Sequence, residues 1–335
     1  MKKIIGLTFL AILFYMVFTE TSKLRLHITE GTGRCLNVVV PSLFFIMAVS
    51  NIAVRSGLLN IIAPAFDRFS RLVFKMNGVV FLTFVMGMFA GYPVGARMLS
   101  EHYTRGLITK KQFNTYVCVC FGAGPAFVFG CIGSPQSGKL VILSTVAANV
   151  IMCFVTSISL ERPLRMKKIS SKEFTASEFC ESVTDAGKAL LQLCVMIVFF
   201  SCFAGYMPDK VNAVLDVTSI SGMNIYSASL LPLVSFCISF GGVCVIMQIK
   251  SMLGENINLL RFIVMRTVTG FLSMTVCYLL LPLFTVNNAV PSSSNSETPM
   301  SVAAGSPMAA VMLVIMLAII VMEAPNYNLT KKDLQ

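Results

Sequence analysis

The groups in this chain that could contact a solute are grouped around glycine. One cluster reads Gly87-Met88-Phe89-Ala90-Gly91-Tyr92-Pro93-Val94-Gly95-Ala96-Arg97, a second Phe121-Gly122-Ala123-Gly124-Pro125-Ala126, and a third Phe240-Gly241-Gly242-Val243-Cys244. In a helix interior a Gly costs about 1 kcal/mol relative to Ala and a Pro about 3, so each cluster predicts an interrupted helix. An interruption leaves N–H and C=O groups unpaired, and at membrane depth that is tolerated only where the backbone is buried in protein or lines a watery cavity. Glycine also lets a solute approach the main chain closely. Two arginines add charge: Arg97 ends the first cluster, and Arg266 sits inside the apolar run 260–284. A cation in such a place is costly and reads as functional by default; the competing reading for each is a snorkelling anchor. The candidate substrate-binding set is Gly91, Tyr92, Pro93, Gly95, Arg97, Gly122, Gly124, Pro125, Gly241, Gly242, Gln248 and Arg266, with Asn149, Gln192, Ser235 and Ser239 as further polar groups at depth.

Other chemistries lack their residues. The two histidines, His27 and His102, fall in polar segments and read as surface groups. No Ser/His pair, pair of buried aspartates or His-Glu-x-x-His site can be assembled, so an enzyme is not expected. No acid lies deep in an apolar run, which leaves a proton relay without a candidate and favours an anionic or neutral solute. Of the eleven cysteines most lie in apolar runs and read as packing residues. Cys118-x-Cys120 lacks the second pair a metal site needs. Neither a metal nor a cofactor is expected.

These groups need an apolar scaffold. The 335 residues are 56% apolar and 12% charged, with a mean hydropathy of +0.80, whereas soluble domains are about a quarter charged. The bilayer is the solvent such a chain requires, at about 20 apolar residues per crossing. The apolar segments are 4–19, 38–54, 78–97, 113–133, 139–160, 187–207, 225–247, 260–284 and 307–322. The net charge of +11 sits in short clusters between them, as in cytoplasmic loops, and not in a stripe suited to nucleic acid. If all nine segments cross, 18 Lys/Arg fall inside and 8 outside; if 78–97 enters and returns on one face, the tally is 21 to 5. The second arrangement is preferred, with both termini cytoplasmic.

The expected fold is therefore an all-α polytopic membrane protein, with about eight transmembrane helices, a re-entrant broken segment and two inverted gate-like repeats. Residues 1–30 form an N-terminal anchor, 31–160 the first half, 161–185 a cytoplasmic linker and 186–285 the second half. Residues 286–335 hold an external Ser-rich loop, a last span and a tail. Residues 58–75 read as a basic amphipathic helix in the interface, and 98–112 as a weaker one. Paired broken segments in corresponding positions point to a secondary transporter.

The first cluster, followed by Phe121-Gly122-Ala123-Gly124-Pro125-x-Phe127-Val128-Phe129-Gly130 and later by Ser239-Phe240-Gly241-Gly242-Val243-Cys244-Val245-x-x-Gln248, resembles the sporulation integral membrane protein YlbJ family. That family belongs to the nucleoside-recognition, or Gate-domain, group. The chain departs from the pattern at Gly122-Ala123-Gly124, where Asn and Ser are usual. It departs again at Gly222-Met223-Asn224-Ile225-Tyr226, which is short and lacks an acid. The resemblance implies a carrier with two inverted gate-like halves, in a cell or forespore membrane, moving a small organic anion such as dipicolinic acid. A nucleoside or other small solute, or a non-transporting scaffold, is the alternative. The partners expected are the bilayer and that solute, with no nucleic acid, and with self-association left open.

Overall fold

The computed structural model describes residues 2–160, 175–203, 206–223 and 228–284, and every regular element among them is helical. The linker stretch 161–174, the loop and last span expected within 286–335, and Asn224–Tyr226 lie outside the described residues.

The chain opens with α1 (Lys2–Thr19) and α2 (Thr21–Arg34). A wider turn at Cys35–Val39 carries α2 into α3 (Val40–Arg55). Together α2 and α3 make an apolar helix of 35 residues, longer than the 38–54 segment alone. α4 (Leu58–Val73) is the amphipathic segment, leaving Ile61, Phe69 and Leu72 exposed. It meets α5 (Gly78–Ala90) at 90°. Asp67 holds that corner, accepting from the Gly78 amide at 2.8 Å and from Arg71 Nε at 2.6 Å, and the Asn77 side chain caps α5 through the Val80 amide.

At Gly91 (φ 96°) the backbone turns to start α6 (Tyr92–Thr104). The two helices then run back alongside each other. A Cβ on Gly87 would lie 3.2 Å from Gly95 Cα, and Thr83 Oγ1 is 2.8 Å from His102 Nε2. Both pairs are spaced about the turn, as in an antiparallel hairpin. Each arm of 13 residues is about 20 Å long, short of a hydrocarbon core of about 30 Å. Residues 98–104 belong to the returning arm. Met98, Leu99 and His102 are buried there, so the reading of His102 as a surface group is corrected.

The second apolar cluster breaks a span into α7 (Lys110–Val119) and α8 (Pro125–Ile132), joined by the non-helical stretch 120–124. Its N-terminus carries a reciprocal Thr109–Gln112 cap. α9 (Pro135–Ile158) follows. α10 (Ala176–Ser201) begins with a Thr175–Glu178 cap, so residues 176–185, expected as linker, are already helix. A short α11 (Asp209–Leu215) and a 3-10 turn (Val217–Gly222) follow. Next come α12 (Leu231–Phe240) and α13 (Gly242–Leu253), broken at Gly241, and then α14 (Leu259–Leu280). α3 packs on α10, and α14 packs on both α9 and α12. Small residues permit the last contact: Ser235 and Ser273 hydroxyls lie 2.6 Å apart, and Gly270 faces the Phe236 ring.

Five helical stretches among the described residues are long and apolar enough to cross a membrane, or six if the bent α4–α5 pair counts as one. This is an all-α, multi-pass membrane architecture.

Candidate functional site

The three glycine clusters meet. Cys120 carries its carbonyl against the α5–α6 hairpin, where a Cβ on Gly95 would drive into it and one on Gly87 would lie 2.9 Å away. The loop beyond fits over the hairpin tip. A Cβ on Gly122 would be 2.9 Å from Met88 Cα, and one on Gly124 2.8 Å from Phe89 O. The second break is packed against the junction between α11 and the 3-10 turn. A Cβ on Gly242 would lie 3.1 Å from Val217 N and 3.2 Å from Leu215 O. Each break thus rests on a helix junction that precedes it in the chain.

Between the breaks stands Arg266, fully buried in α14. Its guanidinium donates to Cys118 O at 2.9 Å, to Asn149 Oδ1 at 2.8 Å and to Ser239 O. Cys118 and Ser239 lie in the last turns of α7 and α12. A helix ends with four unpaired carbonyls and a partial negative charge, and one planar fork serves two such ends here. The guanidinium also lies 4.5 Å from the Phe121 ring centroid. Tyr92, at the hairpin tip, donates its hydroxyl to Ile238 O at 2.6 Å and packs its ring 4.7 Å from that of Phe121. Gly241 lies against both rings. Gly91, Tyr92, Gly95, Gly122, Gly124, Gly241, Arg266, Asn149 and Ser239 are therefore brought together. Arg266 spends three donors on the protein's own acceptors, and its Nε is buried without a partner.

Gly122, Gly124 and Pro125 also line a cavity of about 380 Å³, whose walls include Phe69, Phe74, Phe81 and Phe84, with Asn149 at one side. Arg97 and Gln192 lie elsewhere. They face a separate, polar vestibule of about 520 Å³, along with Arg55, Glu101, Asp185 and Lys188. Asp185 is the hub of its charges, accepting from Arg97 Nη2 at 2.8 Å and from Arg55 Nη2 at 2.5 Å. Arg55 also reaches Glu181 at 2.5 Å. Arg97 is five residues past Tyr92 on α6, about 7.5 Å along the axis. Gln248 is buried beside α10, its amide 3.5 Å from Ala189 O and its Oε1 without a partner. Ser235 belongs to the α12–α14 contact.

Asp216 was missed. It lies in the polar stretch between two apolar runs, yet its side chain is buried beside Gly242, where it accepts from the Thr218 amide and hydroxyl. The expectation that no acid lies deep in an apolar run stands, since Asp216 falls between two such runs, but it is a carboxylate in the protein interior. The buried Val217 and Ile220 that follow it in the sequence were the available signal.

Comparisons with known proteins bear on the same stretches. The family model described as nucleoside recognition, Gate, matches residues 36–160, which hold the hairpin and the first break. The sporulation integral membrane protein YlbJ of Bacillus subtilis (strain 168) is 23% identical over 315 residues, covering 76% of this chain and 77% of that protein. No solved structure matches. Residues 36–160 thus match the Gate, or nucleoside-recognition, family model, within a multi-pass membrane protein that resembles a sporulation integral membrane protein along most of its length.

Proposed function

We propose that the protein is a carrier for a small organic anion, working by alternating access between two inverted halves. One observation carries the reading: both helix breaks are seated on helix junctions that precede them in the chain, and Arg266 joins them. Broken helices around a midplane centre are how secondary carriers contact a solute. The vestibule gives the charge preference. Arg55 and Arg97 already converge on one carboxylate, that of Asp185, so a solute carboxylate entering there would meet two guanidinium forks. Dipicolinate is the solute to try first, because of the likeness to a sporulation protein, and a planar ring suits the phenylalanine-lined cavity. In this reading both termini are cytoplasmic and the membrane is that of the cell or forespore.

The test is uptake of labelled dipicolinate and labelled nucleosides into proteoliposomes, wild type beside Arg97→Ala. Saturable dipicolinate uptake, reduced at least tenfold by the substitution, is the expected result. Uptake of nucleoside alone would replace the anion by a nucleoside. Uptake of neither by folded protein would remove the carrier reading in favour of a scaffold.

A further inference from the structure

Two of the arginines at depth are committed: Arg266 to helix ends, and Arg97 to Asp185. Arg34, at the end of α2, is not. Its Nη2 donates to Ser201 Oγ at 2.7 Å, and its Nε is buried without a partner. Its nearest carboxylate oxygen, Asp216 Oδ2, is 4.0 Å away, beyond a hydrogen bond. Asp216 in turn is held by Thr218, whose amide lies 3.0 Å from Oδ1 and whose hydroxyl lies 2.7 Å from Oδ2. A buried acid and a half-buried cation thus stand next to the second break without closing on each other.

The surroundings are otherwise weakly polar. Arg34 and Cys35 face Asp216 from the α2 side, Cys131 from α8 and Cys244 from α13. α12 turns no titratable group toward it among the described residues. Burial raises the carboxyl above its usual range, against the opposing pull of the Thr218 bonds and Arg34. The Arg34 side chain keeps 16% of its surface exposed, so the pair is not sealed within the fold.

Resting on the carrier reading, we infer that Asp216 carries a proton with the solute, and that Arg34 is the cation this proton releases for the solute's carboxylate. The cycle balances. Asp216 takes one proton from water on the entry side and becomes neutral. Arg34 then has no counter-charge, and a solute carboxylate supplies one. On the exit side the solute leaves, the proton returns to water, and the Asp216 carboxylate again faces Arg34. No covalent bond other than O–H forms or breaks.

The experiment uses the full chain in proteoliposomes, with the membrane potential clamped to zero and dipicolinate or a nucleoside as probe. Two modes are measured: exchange at equal pH, and accumulation driven by a one-unit pH gradient. For one proton per solute, wild type accumulates the probe about tenfold, since a tenfold ratio on one side balances a tenfold ratio on the other. Asp216→Asn should lose the gradient-driven accumulation, and Asp216→Glu should restore part of it. Retained exchange reports that the variant is folded; should Asp216→Asn fail to exchange, wild-type accumulation under the gradient decides alone. Wild-type exchange with no response to the gradient overturns this inference and leaves the carrier intact. Full accumulation in Asp216→Asn also overturns it. Absence of exchange of every probe in wild type removes both readings.

Discussion

Arg266→Leu tests whether this arginine is a staple for two helix ends. The substitution keeps an apolar side chain in the space but removes the donors that serve Cys118 O, Ser239 O and Asn149 Oδ1. A buried acceptor left unpaired costs about 1–3 kcal/mol, and two helix-end carbonyls are affected. Against this stands relief from keeping a guanidinium out of water, itself several kcal/mol. With the Asn149 amide oxygen counted, three buried acceptors lose their donor, and after that relief the net expected is about 3 kcal/mol of destabilisation. At about 2 °C per kcal/mol for a chain of this size, the melting temperature should fall by about 6 °C. The chain has no tryptophan but eleven cysteines, most of them buried and none in a disulfide among the described residues. A dye that fluoresces on reacting with thiols therefore reports unfolding. Arg266→Lys should fall between, because an ammonium cannot fork to two helix ends. A melting temperature of Arg266→Leu at or above wild type would refute the argument, placing this arginine among buried charges that apolar groups replace at no cost.

Gly95→Ala puts a methyl into the Cys120 carbonyl and should destabilise by about 1–3 kcal/mol or more. Gly187→Ala, a helical glycine with nothing within 4 Å, should be neutral or gain about 0.5–1 kcal/mol; the same thiol-dye melts compare them.

The hairpin was legible because Gly91 and Pro93 disfavour a continuous helix strongly enough to show in one sequence, and the positive-charge count separately favoured a return at that place. The breaks at 120–124 and 241–242 were legible for the same reason. That they would meet was not: Arg266 and Cys118 are 148 residues apart, and no periodicity encodes such a contact. Arg266 was singled out as a solute ligand because a charge in an apolar run demands a partner. The sequence does not say whether that partner is a solute or a carbonyl. Arg97 was named without Asp185, since the acid had been assigned to a linker whose last turns are helix. His102 and Asp216 escaped because both sit in polar stretches, where burial depends on chain reversals that tertiary packing decides.

The Arg266 contacts also set an order of assembly. Its acceptors on α7 and α9 enter the membrane 148 and 117 residues before it. At a synthesis rate of about 5–20 residues per second, the Cys118 carbonyl waits about 7–30 s for its donor. During that interval the first half is inserted with a helix end lacking its proper partner, and is at its most exposed to membrane proteases and to pairing with the wrong helix. A nascent chain halted before α14 should therefore be degraded faster than one halted just after it, although the missing segment is a single helix.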